Sequence, residues 1–260
     1  GIRDYKVTGV QTCALPISYS AVAVTSGTNG CPGDTSRYHI TVNPTPQITI
    51  APVTICSRDS IKIAPQNNQP SIIVPVGTTY TWTYDPNSNL SGQTNQTIGV
   101  DTIRQGLVNL TDVPQTITYH ITPSSGINPV CTGTPFTLTV TVNPIPEIPT
   151  LYDTICSENS FSIIPVTSIS QSSPDTIVPA GTRYSWNLPT LPPLVTGAVA
   201  GNNETSIFGT LYNTGFVPQT VTYVVTPTSG TSGNCPGAPF NVEITVNPLA
   251  SISKIGRAHV

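Results

Sequence analysis

The sequence predicts an all-β protein made of tandem β-sandwich units of about 100 residues each. Two observations support this fold class. Apolar residues alternate with threonine and serine in many short segments, and these segments recur along the chain at a nearly constant interval. The composition agrees, because 27 prolines and 20 glycines separate the apolar segments and oppose long helices.

The internal repeat consists of four segments that each return about 100 residues later. These segments begin at Thr54 and Thr154, at Ile73 and Ile177, at Val113 and Val217, and at Val130 and Asn234. A third copy of the last segment begins at Gly30. The chain is therefore predicted to hold the C-terminal strands of one unit, residues 19–43, and complete units at residues 44–143 and 144–247. A proline follows the asparagine at each boundary and stiffens the connection into an extended spacer.

Each unit is predicted to contain about seven strands. Leu138, Val140 and Val142 alternate with threonines, which places the apolar side chains on one face of a strand. Glycine, proline, asparagine and serine separate this segment from similar ones. The predicted strands cover residues 61–63, 72–74, 80–84, 96–100, 107–110, 117–121 and 136–142 of the first complete unit and 240–246 of the second.

Both ends of the chain resemble a translated sequencing adapter. With suitable codon choices, T-C-A-L-P-I at Thr12–Ile17 reverse-translates to ACG TGT GCT CTT CCG ATC, and K-I-G-R-A-H-V at Lys254–Val260 to AAG ATC GGA AGA GCA CAC GTC. The second DNA string is antisense to the first, and the resulting duplex looks like such an adapter. Residues 1–17 and 254–260 are therefore set aside from the fold prediction, as a tag would be.

The charge pattern excludes several classes of partner. Lysine and arginine number 9, aspartate and glutamate number 12, and the net charge is −3 without a basic cluster. Because phosphate neutralisation needs grouped basic residues, we expect no nucleic-acid partner. No apolar run reaches the 18 or so residues of a transmembrane helix, so we expect no membrane span in this sequence.

Cysteine usage predicts an oxidising environment outside the cytosol. Pairing within units would join Cys56 to Cys131 and Cys156 to Cys235, whereas pairing across units would join Cys31 to Cys56 and Cys131 to Cys156. We favour pairing within units, because in a sandwich the first strand is expected to start at the same end as the loop before the last strand. That arrangement would bring the two Cα atoms within the roughly 5 to 6 Å of a disulfide and would leave Cys31 unpaired.

The sequence contains no convincing catalytic or metal site. His39 and His120 lie among threonines without nearby metal-ligand spacing, so both are expected to be exposed and without a metal. Asp85, Asn87 and Asn89 form the D-x-N-x-N opening of a calcium loop. The glycine and the terminal glutamate of such a loop are replaced by leucine and glutamine, so an ordinary polar loop is expected and no cofactor is predicted.

The tryptophans and the glycosylation sequons are candidate surface features. Trp82 and Trp186 could stack on a sugar, but their positions within strands favour the core. Four N-x-S/T sequons are predicted to mark exposed turns. They begin at Asn89, Asn95, Asn109 and Asn203.

The repeated segments TIC-S, VP-G-T-Y-W, VPQT-TY, TP-SG and C-x-G-x-PF resemble the PKD-like, Ig-like repeats of large surface proteins of Bacteroidota-type bacteria. Those proteins are adhesin-like or associated with gliding motility. The resemblance covers residues 19–250 and implies tandem Ig-like/PKD-like β-sandwich domains on an exported, extracellular or cell-surface protein. The W-D-F-G-D-G core of true PKD domains is missing, since Trp82 is followed by Thr-Tyr-Asp and Trp186 by Asn-Leu-Pro.

Two functions follow as hypotheses. The first is a structural stalk or spacer, in which neighbouring repeats of the chain are one another's partners. The alternative is a module that binds an extracellular glycan or protein through the loops after Trp82 and Trp186. Its candidate contact residues are Asp85, Asn87, Asn89, Asn202 and Asn203. An enzyme is not expected, because no convergent acid and base pair is present.

Overall fold

The computed structural model describes residues 16–24, 32–41, 44–68, 71–126, 130–168, 176–230 and 233–250. Every regular element in these ranges is a β-strand, which confirms the predicted all-β class. No helix in these ranges has the length and apolarity of a membrane span.

The first two strands form an antiparallel hairpin. β1 (Pro16–Val24) pairs with β2 (Pro32–Thr41), and Tyr19 lies opposite Tyr38. β1 includes Pro16 and Ile17, the last two residues of the N-terminal segment that resembles adapter sequence. The remainder of that segment, Cys31 and residues 254–260 lie outside the described residues.

The first complete unit is a two-layer sandwich. A sheet in the order β3-β12-β10-β5-β7, with β11 on β10, forms one layer, and the ladders β4-β8 and β6-β9 face it. The strands are β3 (Val53–Cys56), β4 (Ser60–Ile63), β5 (Thr79–Tyr84), β6 (Leu90–Ser91), β7 (Gln96–Val100), β8 (Ile103–Gly106), β9 (Val108–Asn109), β10 (Gln115–Ser125), β11 (Cys131–Thr132) and β12 (Phe136–Asn143).

The second unit repeats this topology. Its larger sheet has the order β13-β21-β20-β15-β17, and the ladders β14-β18 and β16-β19 form the opposite layer. The strands are β13 (Leu151–Cys156), β14 (Ser160–Ile163), β15 (Arg183–Trp186), β16 (Val195–Thr196), β17 (Gly201–Glu204), β18 (Ile207–Thr210), β19 (Tyr212–Asn213), β20 (Gln219–Thr228) and β21 (Phe240–Asn247).

The core of each unit lies where the predicted alternation placed it. Leu138, Val140 and Val142 of β12 are fully buried, and the threonines between them lie on the outer face. The predicted segment 72–74 differs, because its residues make isolated bridges to residues 47 and 68 instead of a full strand.

Buried tyrosines occupy the centre of both cores. Tyr119 and Tyr223 are completely buried, and neither hydroxyl has a hydrogen-bond partner. Burial raises the pKa of Tyr223, Tyr80 and Tyr184 to about 12 and raises the pKa of Tyr119 further. All four side chains are therefore neutral at physiological pH, as an apolar core requires.

The first strand of each unit runs parallel to the last strand. β3 pairs with β12, and β13 pairs with β21. In this register Cys56 lies beside Asn143, and Cys156 lies beside Asn247. We call this end of a unit, where the chain leaves it, the exit end.

The opposite end of each unit, where the chain enters, carries the C-x-G loop before the last strand. Ser125 at the end of β10 lies opposite Cys131 and donates a hydrogen bond from its hydroxyl to the carbonyl oxygen of Pro44 at 2.7 Å. In this loop Gly133 packs directly on the backbone of Pro46 and leaves no room for a Cβ atom. We call this end the entry end.

Candidate functional sites at the domain junction and on the outer sheet face

A disulfide joins the two complete units. Cys56 at the exit end of the first unit bonds to Cys235 in the C-x-G loop of the second, with the Cα atoms 5.7 Å apart. The expected pairing within units, Cys56 with Cys131 and Cys156 with Cys235, is therefore wrong. The alternative pairing across units is wrong as well, because Cys56 does not bond to Cys31 and Cys156 is a free, exposed thiol.

The parallel first strand explains why the pairing within units fails. Cys56 is the last residue of β3, so it lies beside the end of β12, whereas Cys131 precedes the start of that strand. The seven residue steps of β12 at about 3.3 Å each separate these two ends by about 23 Å. A disulfide cannot span that distance, but Cys56 faces the entry end of the following unit.

Two further contacts hold the junction. The Arg58 guanidinium and the Glu147 carboxylate form an ion pair at 2.5 Å. Gly233, in the loop that leads to Cys235, packs against the Asn143 side-chain amide and leaves no space for a Cβ atom. Its φ of +101° also favours glycine. The junction therefore combines a covalent bond, an ion pair and a close backbone approach.

A buried hydrogen-bond network shapes the exit end. The Ser57 amide donates to the carbonyl oxygen of Asn143 at 2.8 Å, and its hydroxyl oxygen accepts from the Asn109 amide at 2.9 Å. The Asn109 side chain donates to the carbonyl oxygens of Val142 at 2.9 Å and Val113 at 2.8 Å. Asn109 is only 3% exposed, so the expectation that it marks an exposed turn is wrong.

The sequence repeat itself indicates that Asn109 has a structural role. Asn213 occupies the same place in the second unit, although its N-T-G sequence is not a sequon. An asparagine kept at equivalent positions while its neighbours change indicates a structural role for the side chain.

The polar loop after Trp82 is held by its own side chains. The Asn87 side-chain amide donates to the carbonyl oxygen of Thr116 at 3.0 Å, and its side-chain oxygen accepts from the Asn89 amide at 2.9 Å. The Asp85 carboxylate lies 3.1 Å from Nε2 of His120, and both side chains are exposed. In the described parts of the chain, no three His, Cys, Asp or Glu residues form a group suited to a metal ion.

The loop after Trp186 places its asparagines at the edge of the larger sheet. The Asn203 amide donates to the hydroxyl oxygen of Ser185 at 2.9 Å, and the Asn202 side chain lies 3.5 Å from the same hydroxyl. Asn203 has a φ of +59°, within a local irregularity in the pairing of β15 with β17. Thus Asn202 and Asn203 lie together, whereas Asp85, Asn87 and Asn89 belong to the other unit.

Both tryptophans belong to the core, as the sequence favoured. Trp82 and Trp186 are 5% and 4% exposed. Their indole nitrogens donate to the carbonyl oxygens of Thr94 at 3.1 Å and Val199 at 2.9 Å. Since the rings are covered and the nitrogens are satisfied, neither indole offers a free face to a sugar.

A shallow groove follows the outer face of the larger sheet in each unit. In the second unit it has a volume of about 870 Å³, and its lining includes Leu188, Asn202 and Val224. Its counterpart in the first unit measures about 330 Å³ and includes Thr122 and His120. The grooves occupy equivalent faces but differ in size and chemistry.

Comparison with protein families identifies both complete units. The model of the PKD-like domain matches residues 53–146 and 153–250, which together make up well over half of the chain. The chain belongs to the PKD-like domain family. The match confirms the tandem PKD-like repeats that the resemblance implied.

Solved structures with several domains in series are similar to this PKD-like protein. The FN1–FN3 domains of chicken CNTN1 are 12% identical with a TM-score of 0.33, and the match covers 88% of this chain and 76% of that one. Mouse cadherin-23 EC22–24 is 14% identical with a TM-score of 0.32, covering 80% and 67%. The titin I-band fragment I67–I69 is 9% identical with a TM-score of 0.35, covering 90% and 75%. No curated protein matches the sequence.

Proposed function

We propose that these PKD-like units are a non-catalytic structural spacer in a secreted or cell-surface, adhesin-like bacterial protein. The main support for this proposal is the disulfide between Cys56 and Cys235, which we call the junction disulfide. A covalent bond between two domains suppresses hinge motion at their junction, and such motion is otherwise the default for domains in series. Restricted motion at the junction is what a spacer needs to hold a distal module away from a surface.

The surrounding chemistry supports this role. The linker between the units contains Pro144 and Pro146, and Glu147 in the linker makes two backbone hydrogen bonds to Ile177, at 2.8 and 2.9 Å. The linker is therefore fixed to the second unit as well as stiffened by proline. Disulfides are typical of proteins outside the cytosol, which agrees with export and surface display.

Small-angle scattering of the full chain tests the spacer function. The oxidised protein is expected to fit one narrow range of maximum dimensions, because the junction disulfide limits the orientations of the two units. The C56S/C235S double variant is expected to fit a broader range. C156S is the matched control, since it removes a cysteine without touching the junction. If the double variant and the parent protein show the same distribution, the junction disulfide does not restrain the units and the proposal fails.

A second candidate function is binding of a glycan or a protein in the outer groove of the second unit. The groove is open, and Leu188 and Val224 in its lining are 63% and 58% exposed. Large exposed apolar side chains grouped beside an asparagine amide are suited to the apolar face and the hydroxyl groups of a sugar.

A glycan array probed with the full chain tests this candidate. Binding by the parent protein is expected to fall at least tenfold in the variants L188A and N202A. The variant T122A is the matched control, because Thr122 lines the smaller groove of the first unit. Binding that is absent, or unchanged in both groove variants, would rule out this groove as a glycan-binding site.

A further inference from the structure

The exit end of the second unit repeats the exit end of the first, but its cysteine is free. Cys156 lies beside Asn247 in the same parallel register that places Cys56 beside Asn143. Cys156 is exposed and forms no disulfide, whereas Cys56 is bonded to the following unit. The two cysteines therefore differ in their partners and not in their position in the fold.

The network behind Cys156 is the same as the network behind Cys56. The Ser157 amide donates to the carbonyl oxygen of Asn247 at 2.8 Å, and the Ser157 hydroxyl oxygen accepts from the Asn213 amide at 2.8 Å. The Asn213 side chain donates to the carbonyl oxygen of Val246 at 2.9 Å. The corresponding distances in the first unit are 2.8, 2.9 and 2.9 Å. The backbone that presents the thiol is thus already in the disulfide-bonded arrangement.

The turn after the cysteine is also the same. Arg58 and Glu158 have φ values of +71° and +74°, although neither is a glycine. The amides of Asp59 and Asn159 both donate to the carbonyl oxygen of the cysteine at 3.1 Å. Left-handed backbone at a residue with a side chain is costly and persists where the surrounding structure requires it. Both exit ends retain this conformation, and at the first the Arg58 side chain pairs with Glu147 of the linker.

The partner of Cys56 also belongs to a repeated feature. Cys235 is fully buried, its amide donates to the Ser229 hydroxyl oxygen at 2.9 Å, and the Ser229 amide donates to the Cys235 carbonyl oxygen at 2.9 Å. Cys131 lies opposite Ser125 at the equivalent place of the first unit. Each PKD-like unit of this chain therefore carries one cysteine at its exit end and one at its entry end.

We propose that Cys156 is positioned to form a disulfide with the C-x-G cysteine of a further PKD-like unit joined in series after the second unit of the same polypeptide, as Cys56 does with Cys235. This inference deepens the proposed spacer function and rests on it. The contact repeats the junction that the structure shows between Cys56 and Cys235, with Cys156 in the place of Cys56.

Charges at the exit end agree with this partner. At the first junction Arg58 pairs with Glu147, which is four residues after Asn143. At the second exit end Glu158 replaces Arg58, and the residue four positions after Asn247 is Ser251. Thus the basic Arg58 is replaced by the acidic Glu158, and the acidic Glu147 is replaced by the neutral Ser251. The two positions therefore do not both hold acidic residues.

Formation of this bond requires an oxidant, which we take to be a small-molecule disulfide such as oxidised glutathione. The Cys156 thiolate attacks one sulfur of that disulfide, which forms a mixed disulfide and releases one thiol. The thiolate of the partner cysteine then attacks the Cys156 sulfur and releases the second thiol. Two protein thiols are oxidised to one disulfide, and one small-molecule disulfide is reduced to two thiols.

Successive junction disulfides would overlap along the chain. The loop closed by Cys56 and Cys235 contains Cys156, because position 156 lies between the two bonded residues. A bond from Cys156 to the next unit would therefore start inside one loop and end outside it. Each unit would then be bound covalently to both of its neighbours.

A chain of three complete units tests the inference. A further copy of residues 148–247 is placed directly after Ser251 of the full chain, with C156S and N241Q in that copy. The first substitution removes an extra thiol, and the second gives the peptide of the copy a distinct mass. The protein is folded in a glutathione buffer and digested without reduction, and the linked peptides are identified by mass spectrometry.

The expected result is a peptide pair that joins Cys156 to the C-x-G cysteine of the copy, in at least half of the molecules. In the control, C156S in the original second unit, this pair is expected to be lost while the Cys56–Cys235 pair remains. The inference is overturned if Cys156 stays a free thiol, pairs within its own unit or links two chains while Cys56–Cys235 forms. Absence of Cys56–Cys235 in the parent chain would instead overturn the proposed spacer function.

Discussion

Pulled by its two ends, the oxidised chain is expected to extend about 600 Å less than the reduced chain. The junction disulfide closes a loop of 179 residue separations, and an extended residue spans at most about 3.3 to 3.6 Å. None of that length is released while the bond is intact, even if both cores unfold. Force enters through β3, crosses the disulfide at Cys56 and leaves through β21 after Cys235.

Single-molecule force spectroscopy measures this difference directly. Oxidised parent protein and C156S are both expected to lack the 600 Å of contour length, and C56S is expected to release it without reductant. If the oxidised parent protein releases the full length of two unfolded units, the two units are not joined as the structure shows. The chain-entropy model adds about 5 kcal/mol of stability for a loop of this size, and C56S is expected to lose most of it.

The sandwich was predictable because its determinants are local. In β12, alternation of Leu138, Val140 and Val142 with threonine determines which face is buried, and proline and glycine mark the ends of strands. The period of the repeat then gave the number of units without any knowledge of their contacts. These features depend on residues close together in the chain.

The disulfide was not predictable from the same information. Its pairing depends on the direction of β3 relative to β12, and most of the unit lies between these two strands in the sequence. An antiparallel first strand would have placed Cys56 near Cys131, whereas the parallel one places it at the opposite end. The candidate contact residues show a similar limit, because hydrogen bonds such as Asn87 to Thr116 join residues that are distant in sequence.

Replacement of Asn213 by alanine is expected to destabilise the second unit by about 3 kcal/mol. The side chain donates to the carbonyl oxygens of Val217 and Val246 at 2.9 Å and accepts from the Gly215 amide at 2.9 Å. Asn213 is only 4% exposed, and Val246 is fully buried. Alanine therefore removes three hydrogen bonds, worth about 1 kcal/mol each, and leaves a buried carbonyl oxygen without its donor.

Urea denaturation in the presence of reductant measures this loss without the contribution of the junction disulfide. N109A is expected to have a similar effect on the first unit, because Asn109 makes the equivalent bonds to Val113 and Val142. N202A is the matched control, since its amide lies on the exposed sheet edge, and a change below about 0.5 kcal/mol is expected. A loss below 1 kcal/mol in N213A would show that water or a neighbouring group replaces the asparagine. In that case the Asn213 hydrogen bonds would not be what holds the backbone around Cys156 in the conformation seen around Cys56.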